Sequence, residues 1–275
     1  MNFLQLNWDG LTEAVFFSAG LNYIRYFFMA GLVYYLFFHR PPTWLKPLEI
    51  SKSKRPLPQN KRDVFYSFLS ISIFGIVGIL TYMMEKAGWT QLYKNVDEYG
   101  WAWWFLSLPV MVFIHDTYFY WTHYLMHNKK LFPYFHKVHH LSKNPTPLTS
   151  YAFHPLEAVV EAGIYPLLAI IIPLHQGALL IFFTFAFAYN ILGHLGHELY
   201  PAWFIHSPFG KIFTTTTHHH QHHQKFNCNY GYYFTIWDRL IKTNHQDYEI
   251  FFRKNSTDSS QIKRLNISEK NVLKK

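Results

Sequence analysis

Sixteen of the 18 histidines in this 275-residue chain fall between His115 and His223, in tight clusters beside long apolar runs. The clusters read H-x-x-x-H at His123 and His127, H-x-x-H-H at His136, His139 and His140, and H-x-x-H-H again at His219, His222 and His223. No other feature limits the fold as tightly. Half-polar rings near a membrane are costly unless something uses them. Neutral imidazole is a good ligand for iron, zinc and copper. One ion needs only about three or four protein ligands, so the supply is enough for two ions.

The clusters are embedded in an apolar chain: 50% of residues are hydrophobic, 20% aromatic and only 15% charged. A soluble domain carries about 25% charged residues. The length allows one catalytic domain, expected over residues 1–255, with a polar and mobile tail over 256–275. A lone cysteine, Cys228, excludes an internal disulfide and thiolate metal sites. The net charge of +9 would suit nucleic acid, but no groove-reading motif is present and the basic residues flank apolar segments. Anionic lipid headgroups explain them better. The N-terminus shows no signal-peptide pattern.

About 20 apolar residues cross a bilayer as a helix. Phe16 to Phe38, with Arg25 as its one charge, Val64 to Met84, and Trp101 to about Trp121 qualify. The last span opens on interfacial aromatics and ends on His115 and Asp116. Leu156 to Leu174 and Gly177 to Gly193 are shorter and are expected to form a helical hairpin. The loop from His39 to Asp63 carries Arg40, Lys46, Lys52, Lys54, Arg55, Lys61 and Arg62 against Glu49 and Asp63. The positive-inside rule places it in the cytoplasm, and alternation then puts every histidine cluster on that side. The expected class is all-α: multi-pass membrane helices with a cytoplasmic, histidine-rich helical cap around a dinuclear metal site. The membrane is a bacterial inner membrane, or the endoplasmic reticulum in a eukaryote.

On a helix, His123 and His127 share a face one turn apart. Asp116 lies seven residues before His123, on nearly the same stripe, where a carboxylate could hydrogen-bond the outer nitrogen of a ligand ring. H-x-x-H-H offers i, i+3 and i, i+4 rings together, which can serve neighbouring ions. His194 and His197 could supply a third group. His154 is expected behind the ligands or at the surface.

The segments HDTYFYWTHYLMH, FHKVHH, NPTPLTSYAFHP, THHHQHH and FNCNYGYYFTIWDR together resemble the sterol desaturase and fatty acid hydroxylase superfamily. The likeness covers about His115 to Thr243 and is most similar to the sterol carbon-5 desaturase branch and its bacterial relatives. Tyr124 departs from it, standing where the family usually has arginine. The resemblance implies two iron ions, replaceable by zinc on purification. Their ligands would be His123, His127, His136, His139, His140, His194, His219, His222 and His223, with His218 and His197 as further candidates. Asp116, His154, Asn190 and Asp238 would stand behind them. It implies a dioxygen-dependent oxidoreductase that hydroxylates or desaturates a C–H bond of a sterol or fatty acyl lipid. A nitrogen-rich site suits that chemistry independently. The aromatics from Tyr118 to Trp121 and from Phe182 to Tyr189 are candidates to line a lipid tunnel. Two rival readings are a zinc-dependent membrane lipid hydrolase and a non-catalytic metal-binding membrane protein. The chain shows neither a dinucleotide fingerprint nor haem-attachment or iron–sulfur cysteines. A separate electron donor, a small haem cytochrome or a ferredoxin with its reductase, is therefore expected. The cytoplasmic lysines Lys129, Lys130, Lys137, Lys143, Lys211 and Lys225 are candidates to receive it.

Overall fold

A computed structural model describes residues 8–50 and 57–256. Lys52, Lys54 and Arg55 of the basic loop, and the tail beyond residue 256, lie outside the described residues. The described chain is mostly helical. Helix α1 (residues 8–39) alternates α-helical with π-helical turns. It is followed by α2 (Leu57–Lys86) and α3 (Gly100–Met126). The site end is built from α4 (Lys137–His140), α5 (Pro155–Ala162), α6 (Ile164–Ile171), α7 (Gln176–Gly193) and α8 (Thr216–Lys225). Two short helices, α9 (Ile236–Leu240) and α10 (Tyr248–Asn255), close the chain.

Of these helices, α2 (from Pro58) and α7 are long and apolar enough to cross a membrane. Their outward faces are apolar. Phe65, Ile76 and Leu80 of α2 and Ile181 and Phe185 of α7 are exposed, as are Phe27 and Phe28 of α1 and Phe105 and Phe113 of α3. An apolar surface of this extent is suited to lipid. Helix α1 packs on α2 through small residues. A Cβ at Gly78 would meet Ser18 Cβ at 2.1 Å, and one at Gly75 would meet Ala19 Cβ at 2.8 Å. Such close backbone approach is how helices associate where no water drives them together.

The first arm of the expected hairpin, Leu156 to Leu174, is not a single helix. It bends at Gly163, between α5 and α6. Pro166 has no N–H to give the carbonyl of Ala162, and Tyr118 Oη donates to the carbonyl of Val160 at 2.6 Å. The far end also differs from the all-helical expectation. Leu92–Tyr93 pairs in parallel with Leu174–His175. His175 accepts from Gly177 N at 2.9 Å and pairs through Nε2 with the carbonyl of Lys94 at 2.8 Å.

Helices α3 and α7 run in the same direction and deliver His123 and His194 to one end of the bundle, while α2 runs oppositely and begins there. Asp63 joins these pieces. Its buried carboxylate accepts from Ser142 Oγ at 2.8 and 2.9 Å, Thr149 Oγ1 at 2.8 Å and Arg62 Nη2 at 3.1 Å. It thereby ties the start of α2 to the segment after the second histidine cluster. Asp63→Ala leaves these donors unpaired in a buried setting, at a cost of about 2–4 kcal/mol. The expected outcome is a lower melting temperature in detergent and loss of bound metal on warming, with Asp63→Asn intermediate.

Candidate metal centre

The histidine rings meet as two adjacent groups. His123, His127, His136, His140 and His222 bring ligand atoms within 4.8 Å of one another, and so do His139, His194, His219 and His223. Helical spacing explains the partition. The i, i+4 pairs His123/His127 and His136/His140 enter the first group, and the pair His219/His223 enters the second. The middle ring of each H-x-x-H-H cluster goes to the opposite group, His139 to the second and His222 to the first. Each cluster therefore serves both groups. The ring centroids of His140 and His223, one from each group, are 4.8 Å apart.

The outer nitrogens fix which lone pairs point inward. His123 Nδ1 donates to the carbonyl of Tyr230 at 2.9 Å, His194 Nδ1 to that of Asn190 at 2.8 Å and His222 Nδ1 to that of Cys228 at 2.6 Å. A carbonyl only accepts, so each of these rings carries its proton on Nδ1 and presents a bare Nε2. His136 Nδ1 lies 2.5 Å from Glu157 Oε1, which sets the same tautomer. His123 Nε2 and His136 Nε2 then face each other at 2.9 Å as two lone pairs with no proton between them. His222 Nε2 is buried and has no hydrogen-bond partner. Such an arrangement is repulsive until a cation enters it, so the residues present fit a metal.

Burial, then the repulsion of neighbouring imidazolium charges, holds His136, His140, His219, His222 and His223 well below the usual histidine range. The rings therefore stay neutral and able to ligate.

Several expected residues stand elsewhere. His218 belongs to neither group. It lies a turn before His222, at the buried start of α8, where its Nε2 is 3.6 Å from Asp238 Oδ2 and its ring meets Tyr248. His197 also stands apart. The chain turns at Gly196 with φ 69°, and the His197 ring lies against Phe37 and Phe38. His154 caps α5 by accepting from Leu156 N at 3.3 Å. Asp116 does not touch a clustered ring. It accepts from Tyr233 N and Phe234 N at 2.7 and 3.0 Å. Asp238 accepts from Tyr230 N and Gly231 N, both at 2.8 Å. Together the two aspartates pin the loop whose Tyr230 carbonyl orients His123. Asn190 orients His194 through its main chain, while its side chain donates to Ser150 O at 2.8 Å. Sequence reading missed Glu157. Its signal was a carboxylate in the first turn of an otherwise apolar helix, four residues before Glu161.

The fatty acid hydroxylase family profile matches residues 108–243. The chain is 31% identical over 222 residues to lathosterol oxidase of Rattus norvegicus, covering 79% of this chain and 70% of the relative. It is 30% identical over 222 residues to lathosterol oxidase of Homo sapiens, with coverage of 79% and 70%. The chain belongs to the fatty acid hydroxylase family. A Delta(7)-sterol 5(6)-desaturase of Gibberella zeae is 33% identical over 217 residues, covering 76% of this chain and 61% of the relative. No solved structure matches the chain at a significant level. As a member of this family the chain is a lipid-modifying oxidoreductase.

The clusters of this family member border a small pocket that adjoins a larger cavity. A small pocket of about 30 Å³ touches both groups at His123, His136, His139, His194 and His219. A larger cavity of about 460 Å³ runs between α1, α2 and the α5–α7 region. Phe153, Asn190 and Tyr232 line both and form the neck between them. Of the aromatics expected to line a tunnel, Phe119 and Tyr189 border the small pocket, and Phe183 and Phe187 the large one. Phe182 and Tyr118 pack in the core instead, and Trp121 faces outward.

Two measurements check this geometry. Asp238→Ala releases the Tyr230 loop and is expected to weaken metal binding about 10–100-fold, read by titrating metal-free protein. The pH dependence follows from the neutral rings. Below the ordinary histidine value of 6.5 the unfolded chain binds protons that the folded cluster refuses. Stability of the metal-free protein is therefore fully present above that value and falls as the pH drops through it. Thermal melts across pH 4–8 should show this slope, with the melting temperature raised when metal is bound and the gain from metal largest at the high-pH end.

Proposed function

We propose that the chain is a membrane-bound, dioxygen-dependent oxidoreductase that uses two iron ions to desaturate or hydroxylate a C–H bond of a sterol-like lipid. One observation carries this reading: nine histidine rings converge as two adjacent groups at the neck of a lipid-sized cavity. His123, His127, His136, His140 and His222 would hold one ion, and His139, His194, His219 and His223 the other. Iron in such nitrogen sites supplies dioxygen activation and the oxidising power for an unactivated C–H bond.

The chain's own residues do the positioning. Phe153, Asn190 and Tyr232 narrow the cavity and bring one carbon to the small pocket. Phe119 and Tyr189 cover that pocket and keep water from it. The carbonyls of Tyr230, Asn190 and Cys228, with Glu157, hold the rings in the tautomer that ligation needs. The names of the relatives support a sterol. Cavities of about 300–1,000 Å³ suit ligands of that size.

The rival readings have less support. Among the described residues neither histidine group contains a carboxylate, whereas zinc hydrolases usually mix the two. The groups also sit at one end of the bundle instead of along a path through it, as a transporter needs.

In this reading the helices form a multi-pass bundle in a bacterial inner membrane or the endoplasmic reticulum, with the clusters cytoplasmic. Arg62, at the start of α2, donates to Ser142 Oγ at 2.7 Å, so the basic loop and the second cluster share one end. Lys129, Lys130, Lys137, Lys143, Lys211 and Lys225 are all exposed. They offer a basic face to an acidic electron carrier, a small haem cytochrome or a ferredoxin with its reductase.

Protein purified without oxygen and supplied with iron is expected to hold close to two irons per chain. Dioxygen uptake should rise when a Δ7-sterol and a reductant are added together. His219→Ala should lose about one iron, and His218→Ala should keep both. A stoichiometry of one, with His219 and His222 dispensable, would overturn the dinuclear reading.

A further inference from the structure

The large cavity is elongated. Its wall along α7 runs from Gln176 to Asn190, about 21 Å at the rise of a helix. Most of its lining is apolar, so a lipid body would slide along it without register. Something polar near the neck has to set which carbon reaches the histidines.

Most polar groups at that end are already engaged. Asn190 Nδ2 donates to Ser150 O, Tyr232 Oη donates to Ala186 O at 2.8 Å, and His115 Nδ1 pairs with Tyr233 Oη at 2.9 Å. Arg25 also lines the cavity, but its guanidinium reaches Leu180 O at 3.4 Å. That level lies about 15 Å of helix rise from Asn190. Glu161 differs from all of these. It lies on α5, one turn after Glu157, and lines the cavity. Its carboxyl is close enough to Glu157, Tyr118 and Tyr232 to interact with each electrostatically. The hydroxyls of those two tyrosines donate elsewhere. Among the described residues no hydrogen bond reaches the Glu161 carboxyl. A carboxyl withdrawn from water without a partner is expensive, and in a cavity it marks the place where a ligand group completes the pairing.

We propose that Glu161 is the polar anchor of the substrate, its carboxyl accepting a hydrogen bond from a hydroxyl on the lipid and so setting the carbon presented at the neck. The proposal rests on the lipid-oxidation reading above and narrows its substrate class. A lipid with a hydroxyl close to the reacting carbon satisfies Glu161, as a sterol does through its 3-hydroxyl. A free fatty acid carries no hydroxyl near its reacting carbon and leaves the Glu161 carboxyl without that partner. A methyl ether of the sterol keeps the shape but has no proton to donate.

The test compares a Δ7-sterol with its 3-O-methyl ether on the iron-loaded, full-length chain in nanodiscs, reading equilibrium binding and turnover separately. The wild type is expected to bind the free sterol about tenfold more tightly than the ether, the size of one buried hydrogen bond. Glu161→Leu should bring that ratio close to one and raise KM for the free sterol, with iron content unchanged. Glu161→Gln, which keeps an acceptor, should retain most of the preference. Equal binding of both compounds by the wild type, or a preference preserved in Glu161→Leu, overturns the anchor. Wild-type protein that binds with the expected preference but oxidises neither compound leaves the anchor standing and counts against the oxidation reading alone.

Discussion

The proton held on the outer nitrogen of His123, His136, His194 and His222 is the constraint on which the rest of this structure depends. Backbone carbonyls at Tyr230, Asn190 and Cys228 accept hydrogen bonds from the Nδ1–H groups of His123, His194 and His222. The inner nitrogens are thereby left as lone pairs aimed at one another. Repulsion of that kind is tolerated only because the surrounding fold holds it. Asp116 and Asp238 clamp the Tyr230 loop, and Asp63 ties the segment after the second cluster to the base of α2. Three buried carboxylates thus act on the site without touching a metal-facing nitrogen. This is the outer-shell support that metal sites need for affinity and ring orientation.

The membrane and the metal site impose opposite demands, and the fold separates them along the bundle axis. Apolar side chains on α1, α2, α3 and α7 face outward, and small residues let α1 and α2 approach closely. Polar groups gather at one end, around the buried rings. The cavity bridges the two regimes. Its lining is mostly apolar, with Asn190 and Tyr232 at the neck.

Much of the site could be read before any coordinates. The nine residues of the two groups are those carried over from the clusters by resemblance, and i, i+4 spacing explains the pairs within each group. Errors arose where a residue's role depends on partners distant in sequence. His218 is a further candidate by resemblance, yet at the start of α8 it meets Asp238 and Tyr248. His197 was counted because it is three residues from His194, yet a left-handed glycine at 196 turns the chain between them. Asp116 was assigned to a ring on its own helix but serves backbone N–H groups more than 100 residues away. Glu157 gave little warning, because a carboxylate in a short helix looks like an ordinary surface residue until His136 is placed beside it.

Sequence alone determined that this chain is helical, apolar enough for a membrane and supplied with histidines at helical spacing, because those properties depend on local periodicity and composition. Tertiary structure decided how the rings divide between two groups, which nitrogen of each carries the proton and which carboxylates support them. It also decided that a lipid-sized cavity ends at the rings. These outcomes depend on contacts between segments far apart in the chain, and no local pattern encodes the distance between such segments or the direction of a lone pair.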